Sequence, residues 1–137
     1  MTKKGVEIER AEWNVYSSGN KNSAGTSLAS IKIKMKGFVE IYTAEEGVGP
    51  VDALGRALFK AVRQTRPEVD EIQLVDFSVT YSNGKKGTAS GTAAEVVVSV
   101  DFARNGKLFK FVEVSENILE AVFKTLVRGI EAVLEPL

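Results

Sequence analysis

Histidine and cysteine are both absent from this 137-residue sequence, which removes most familiar catalytic and metal-binding chemistry. The chain has no His general base, no His or Cys metal ligand, no Cys nucleophile, no Ser-His-Asp triad and no disulfide. Carboxylates, lysines, tyrosines and hydroxyl groups remain, and these seldom make an enzyme unaided in so small a domain. Composition therefore favours a binding or regulatory module, for which we expect no catalytic residue, no metal and no cofactor.

Charged patterns in the sequence have simple structural interpretations. The Lys+Arg and Asp+Glu counts are both 18, and a neutral chain has no long-range field to attract nucleic acid or an anionic membrane. The loop at residues 84–88 lacks the spacing of a phosphate-binding loop and joins two strands. Acidic pairs and alternating lysines could bind a metal or a phosphate, but they are typical of solvated surfaces. The acids are Glu45, Glu46, Glu113 and Glu116, and the lysines are Lys32, Lys34 and Lys36, with Glu7, Glu9 or Glu12 as cross-strand partners.

The start of the first predicted helix offers a different kind of site. A helix start exposes backbone N–H groups, and a Ser, Thr, Asp or Asn side chain usually accepts from them. Here Gly49 takes the cap position, Gly47 also lacks a side chain, and Pro50 takes the first helical position. A ligand carboxylate could approach these amides closely and meet the positive end of the helix dipole. In the alternative interpretation, Asp52 caps locally and the glycines only make a turn.

The elements that must position this helix start occur twice along the chain. Each half contains an alternating strand, a soft loop, a second alternating strand, a tight turn, a third strand and a helix. We therefore predict an α+β fold of duplicated βββα units, with two three-stranded antiparallel sheets, one helix on each, and pseudo-two-fold symmetry. The repeats are residues 6–66 and 71–135 of a single domain, 1–137, joined by Pro67–Glu71.

Period-two alternation and turn signals place the individual elements. On the second strand of each half, one face is apolar and is predicted to face the core. An Asn105-Gly106 hairpin precedes the sixth strand, and Asn117 with Glu120 forms a predicted capping box. The strands are predicted near residues 13–19, 29–36, 38–42, 77–84, 94–102 and 108–112, and the helices run from 50 to about 66 and from 117 to Pro136. No apolar stretch approaches the length of a membrane span, so we expect a cytoplasmic protein.

Four blocks in this order carry a resemblance to a known family: residues 47–54 (GVGPVDAL), 74–79 (LVDFSV), 91–96 (GTAAEV) and 114–121 (VSENILEA). Together they resemble the C-terminal regulatory domain of the α-isopropylmalate synthase and citramalate synthase family, over about Ile8 to Leu134. The resemblance implies a dimeric allosteric module that senses leucine or isoleucine and mediates feedback inhibition in branched-chain amino acid biosynthesis. The catalytic (β/α)₈ barrel is not in this sequence, so the implied partner is a catalytic synthase domain or subunit.

The resemblance also implies a site for the amino acid effector. In it, the helix start would receive the carboxylate, Asp76 or backbone carbonyls could accept from the ammonium, and apolar residues could line a slot for the side chain. The implied residues are Gly47, Gly49, Pro50, Val51, Leu74, Asp76, Phe77, Ala93, Val114 and Ser115. Since Ser115-Glu116-Asn117 caps the second helix itself, we expect the two pseudo-equivalent sites to be unequal. Two other classes stay open: a purely structural dimerisation domain with no ligand response, and a small carboxylate-based enzyme.

Overall fold

A computed structural model describes residues 6–23, 25–81 and 94–134. These residues form two compact units: the first contains the described residues up to Asp70 together with Leu134, and the second runs from Glu71 to Val133. Each unit is a three-stranded antiparallel sheet followed by a helix, which confirms the predicted α+β fold of duplicated βββα units. The loop at 84–88 and the predicted site residue Ala93 lie outside the described residues. Within the described ranges, no helix combines the length and apolar character that crossing a bilayer requires.

The first unit contains strands β1 (Ile8–Ser17), β2 (Ser27–Met35) and β3 (Ile41–Gly47), followed by helix α1 (Pro50–Arg63). Strand β2 is central and pairs antiparallel with both neighbours. Its alternate apolar residues face α1 and are at most 2% exposed, as the period-two pattern predicts. The buried strand residues are Ala29, Ile31, Ile33 and Met35, and those of α1 are Ala53, Leu54, Ala57, Leu58, Ala61 and Val62.

Several element boundaries in the first unit differ from the sequence prediction. Strand β1 runs from Ile8 to Ser17 and not from about 13 to 19, and β2 begins at Ser27 and not at 29. The third strand begins at Ile41 and not at residue 38, because Gly37 adopts a positive φ of 88° and the Phe38 amide donates to the Met35 carbonyl at 3.0 Å. The turn therefore takes up residues 36–40. Helix α1 ends at Arg63, after which the amides of Thr65 and Arg66 both bond to the Val62 carbonyl, at 3.1 and 2.8 Å. A short 3₁₀ turn, Pro67–Glu71, follows.

The second unit contains β4 (Gln73–Tyr81), β5 (Val96–Arg104) and β6 (Lys107–Ser115), followed by helix α2 (Ile118–Val133). The central strand β5 buries Val98, Val100 and Phe102 completely beneath α2. The predicted hairpin at Asn105-Gly106 is confirmed, since both residues have positive φ, 54° and 79°, as a type I′ turn requires.

Strand β4 starts earlier than predicted, at Gln73, and contains a β-bulge between Leu74 and Asp76. The bulge explains the difference: it leaves Leu74, Val75 and Asp76 all exposed, so the alternation that marks a strand is lost there. Strand β6 is also longer than predicted and reaches Ser115.

Candidate functional site

The start of α1 has no side-chain cap. Gly49 occupies the cap position in an extended conformation, with φ −148° and ψ 179°, and Pro50 follows at the first helical position. No side chain caps this helix end. Among the described residues, the Val51 and Asp52 amides donate no hydrogen bond. Two polarised N–H groups at the positive end of the helix dipole are thus available to an anionic group.

Asp52 stabilises the turn before the helix and does not cap the helix. Its Oδ2 accepts from the Val48 amide at 2.9 Å, and its Oδ1 accepts from Arg56 Nε at 3.1 Å. The hydrogen bond from Val48, and after it the Arg56 guanidinium, lower the pKa of the Asp52 carboxyl below its ordinary value. The alternative interpretation of the sequence was therefore half right: Asp52 does accept locally, but from an amide that precedes the helix.

The two glycines at this helix start have different environments. A Cβ added at Gly47 would overlap the Ala53 backbone, lying 2.7 Å from its Cα and 2.8 Å from Asp52 Oδ2. Position 47 therefore requires glycine, because β3 passes close to α1 there and the Ala53 backbone fills the space that a side chain would need. By contrast, a Cβ added at Gly49 would meet no heavy atom within 4 Å, and its backbone conformation suits any residue. Gly49 marks the open side of the helix start.

The start of α2 is capped, as predicted. Asn117 Oδ1 accepts from the amides of Leu119 and Glu120 at 3.0 and 3.2 Å, and the Asn117 amide donates to Ser115 Oγ at 3.0 Å. The predicted capping box is incomplete, because the Glu120 carboxylate pairs with Lys124 at 2.8 Å and not with the Asn117 amide. The two helix starts are chemically unequal, and only that of α1 lacks a side-chain acceptor.

On β4, the predicted site residue Asp76 lies at the bulge. Its Oδ1 accepts from the Phe77 amide at 3.0 Å, and no Lys or Arg among the described residues forms an ion pair with it. The directly opposite residue on β5 is another acid, Asp101, which has Lys110 Nζ 3.3 Å from its Oδ1. One lysine therefore faces two carboxylates. The sequence analysis missed this Asp101–Lys110 pair because only the strand register places it beside Asp76.

Two groups of predicted site residues lie at opposite ends of the second sheet. Leu74 pairs with Phe102 of β5, whereas Val114 of β6 pairs with Val97. Those two positions of β5 are five residues apart, which corresponds to about 17 Å. The structure therefore places Leu74, Asp76 and Phe77 together on β4, and Val114 and Ser115 together at the end of β6, but it keeps the two groups apart.

One acid of each acidic pair and two of the three lysines form surface ion pairs. Glu45 pairs with Lys60 at 3.2 Å, and Glu113 pairs with Arg128. Lys36 pairs with Glu7 at 3.6 Å, as predicted, and Lys32 pairs with Glu40, at 3.7 Å. The remaining lysine, Lys34, donates to the Met35 carbonyl at 3.0 Å.

Two βββα units in succession define a duplicated α+β domain. The whole described region falls within residues 1–134, which match the family described as the LeuA allosteric (dimerisation) domain. The chain belongs to this family, as the resemblance of its four blocks predicted.

Similar proteins are named as citramalate synthases. The chain is 38% identical over 100 residues to the (R)-citramalate synthase of Aquifex aeolicus, covering 73% of this chain and 18% of that protein. It is 36% identical over 105 residues to the (R)-citramalate synthases of Synechocystis sp. and Geobacter sulfurreducens, covering 77% of this chain and 18% and 19% of those proteins. The chain thus spans less than a fifth of the length of these relatives.

Proposed function

We propose that this chain is the regulatory module of a citramalate- or isopropylmalate-type synthase. It forms a homodimer, binds leucine or isoleucine, and relays occupancy to a catalytic domain or subunit in the cytoplasm as feedback inhibition, without catalysing a reaction itself. Family membership supports the regulatory and dimeric parts of this proposal. The observation that carries the effector part is the uncapped, sterically open start of α1 at Gly49, beside a sister helix that caps itself.

A zwitterionic branched-chain amino acid has three requirements, and separate groups of residues can meet them. Its carboxylate needs N–H donors, which the amides of Val51 and Asp52 supply. Its ammonium needs an acceptor and its aliphatic side chain needs apolar contacts. On the second unit, taken by itself, Asp76 is an exposed carboxylate and Leu74 is 50% exposed, so each offers one of these contacts. An analogue that lacks either charged end would leave a polar partner unpaired and would bind more weakly.

The predicted site residues of the second unit cannot all touch one amino acid within one chain. Leu74 and Val114 belong to the same sheet and are about 17 Å apart along its strands. A site that uses both would therefore need one of them from a second copy of the chain. This requirement fits a dimeric module better than a monomeric sensor.

Titration of the chain with leucine, isoleucine and valine by calorimetry tests the effector part. Gly49→Val adds a side chain where the unit leaves open space, so the fold should be retained while the carboxylate is kept from the amides. Loss of charge-assisted hydrogen bonds of about 1.5–3 kcal/mol corresponds to roughly 10- to 100-fold weaker binding. Ser30→Val, which adds the same side chain on an exposed strand position, is the control and should bind normally.

The outcomes separate the candidate functions. Silence of the native chain toward all three amino acids at millimolar concentration would reject the sensor and leave the structural dimerisation domain, which the family description also supports. Binding that Gly49→Val leaves unchanged would show instead that the effector lies elsewhere on the chain.

A further inference from the structure

The first turn of α1 carries an acid that does not use the free amides of its own helix. Asp52 is the third residue of α1, a position whose side chain often folds back onto the amide of the cap residue. Here the carboxylate accepts from the Val48 amide, before the cap, and from Arg56 Nε, at 2.9 and 3.1 Å. Among the described residues, the amides of Val51 and Asp52 donate no hydrogen bond. A negative charge therefore lies beside two donors that it leaves free.

The charge of Asp52 opposes the binding of an anionic group at this helix start. The hydrogen bond from Val48, and after it Arg56, lower the pKa of the Asp52 carboxyl, so the group is ionised at neutral pH. A ligand carboxylate that accepts from the Asp52 amide lies within about 7 Å of the Asp52 side chain, because both groups belong to one residue. Like charges at that distance repel measurably in a site open to water. The helix dipole attracts the ligand, but Asp52 weakens that attraction.

Arg56 lies where it can cancel this repulsion. Its Nε is 3.1 Å from Asp52 Oδ1, one helical turn away, and the two side chains are 61% and 39% exposed. An exposed ion pair of this kind contributes little to folding stability. Its effect on the local charge is larger, because the guanidinium makes the pair neutral as a whole.

We propose that Arg56 is a specificity-determining residue of the effector site, because it neutralises Asp52 and so allows the start of α1 to accept a carboxylate. The inference deepens the effector site of the proposed function and rests on it. Asp52 and Arg56 then have separate tasks. The bond from Val48 to Asp52 holds the segment that leads into the free amides, and Arg56 compensates for the charge that this bond requires.

Helix α2 has an equivalent pair and provides a control. Glu120 is the third residue of α2, and its Oε1 lies 2.8 Å from Nζ of Lys124, four residues later. There, however, Asn117 Oδ1 accepts from the amides of Leu119 and Glu120 at 3.0 and 3.2 Å. A ligand carboxylate would find those amides occupied. Removal of the Lys124 charge should therefore leave effector binding unchanged.

Charge substitutions test the inference, with leucine and isoleucine titrated into each protein by calorimetry at about 20 mM salt. Arg56→Gln leaves the pair negative, Asp52→Asn leaves it positive and keeps an oxygen for the Val48 amide, and the double variant is neutral again. We expect Arg56→Gln to bind about three- to tenfold more weakly, Asp52→Asn to bind more tightly, and the double variant to bind like the native chain. Lys124→Gln should also bind like the native chain.

Salt provides a second measurement that folding alone would not explain. At about 0.5 M salt the Debye length falls to about 4 Å, which is shorter than the separation of the two carboxylates. The difference in affinity between Arg56→Gln and Asp52→Asn should therefore shrink. A difference that is independent of salt would contradict the electrostatic origin.

The outcomes separate this inference from its alternatives. Either single substitution breaks the same ion pair, so a merely structural pair would weaken binding in both variants, and that result would refute the inference. A loss in Arg56→Gln that persists in the double variant would also refute it, by showing that Arg56 acts without Asp52. Equal binding by all variants would refute it while leaving the effector site intact. A native chain that binds neither amino acid would reject the proposed sensor, and this inference with it.

Discussion

Three glycines show how the environment of a single residue determines its role. Gly47 allows β3 to pass against the Ala53 backbone, and Gly129 of α2 lies against the ring of Phe102, which a Cβ would overlap. A Cβ added at Gly49 would meet no heavy atom within 4 Å, and the backbone there does not have a positive φ. The first two are explained by packing within a unit. Gly49 is not explained in this way, which is the basis of the proposed effector site.

Gly129→Ala is predicted to destabilise the second unit. The added methyl group would displace the Phe102 ring, which is fully buried and packs edge-on against Phe111 with centroids 5.9 Å apart. Overpacking of this kind costs about 1–3 kcal/mol. Replacing glycine by alanine inside a helix gains about 1 kcal/mol in helix propensity, so a net loss is expected because the buried ring has little room to move. Urea denaturation measures the change, with Gly49→Ser as the control, since it adds a side chain in open space and a favoured cap residue and should lose no stability. Equal stabilities for the two variants would contradict the crowding at Gly129.

Asp52 should make the stability of the first unit depend on pH. Its folded-state pKa lies below the ordinary value of 3.8, chiefly because of the Val48 amide. Its contribution is therefore fully present above that ordinary value and is lost as the pH falls through the folded-state pKa. In Asp52→Asn the free energy of unfolding should fall less steeply between about pH 4 and pH 2 than in the native chain. Parallel curves for the two proteins over that range would show that Asp52 is not stabilising as a carboxylate.

At the scale of the elements, the two helices begin in opposite ways although they occupy equivalent places in the two units. Asn117 accepts from two first-turn amides of α2, whereas the corresponding amides of α1 have no side-chain acceptor. Helix α1 is instead held by its buried apolar face and by the bond from Thr43 Oγ1 to the Ala57 carbonyl, 2.8 Å long. Packing thus compensates for the missing cap.

Asn117→Ala is predicted to cost about 1 kcal/mol of stability, the usual cost of removing a side-chain cap. Gly49→Ser, by contrast, should leave stability unchanged or raise it by a few tenths of a kcal/mol, because it adds an acceptor to a bare start. Thermal or urea unfolding of both variants measures the difference. A loss on Gly49→Ser as large as that on Asn117→Ala would mean that glycine at 49 is needed for the fold.

At the scale of the whole molecule, duplication combined with this inequality suits a regulatory module. A single three-stranded sheet with one helix is a marginal structure, and this chain carries two such units. The first unit keeps a bare helix start, whereas Asn117 caps the helix of the second. The proposed function combines two roles, binding an effector and pairing with a second copy. Coupling between them would require that the effector favour one packing of the dimer over another.

Local patterns in the sequence determined the element types, their order and much of the core. Ile31 and Ile33 were predicted to face inward from alternation alone, since successive strand residues point to opposite faces. Asn105-Gly106 was predicted as a hairpin, since both residues readily take positive φ. The bare cap at Gly49 followed from the lack of a side chain there. Each of these properties depends on a few neighbouring residues.

Only the tertiary structure decided the features that depend on contacts between distant parts of the chain. The close passage of Gly47 past Ala53 requires the actual path of β3 against α1, which the sequence does not encode locally. The separation of Leu74 from Val114 follows from strand register, which is set by pairing across a whole sheet. The sequence by itself therefore determined which elements form and which helix start is bare. The fold decided which of the predicted residues are neighbours.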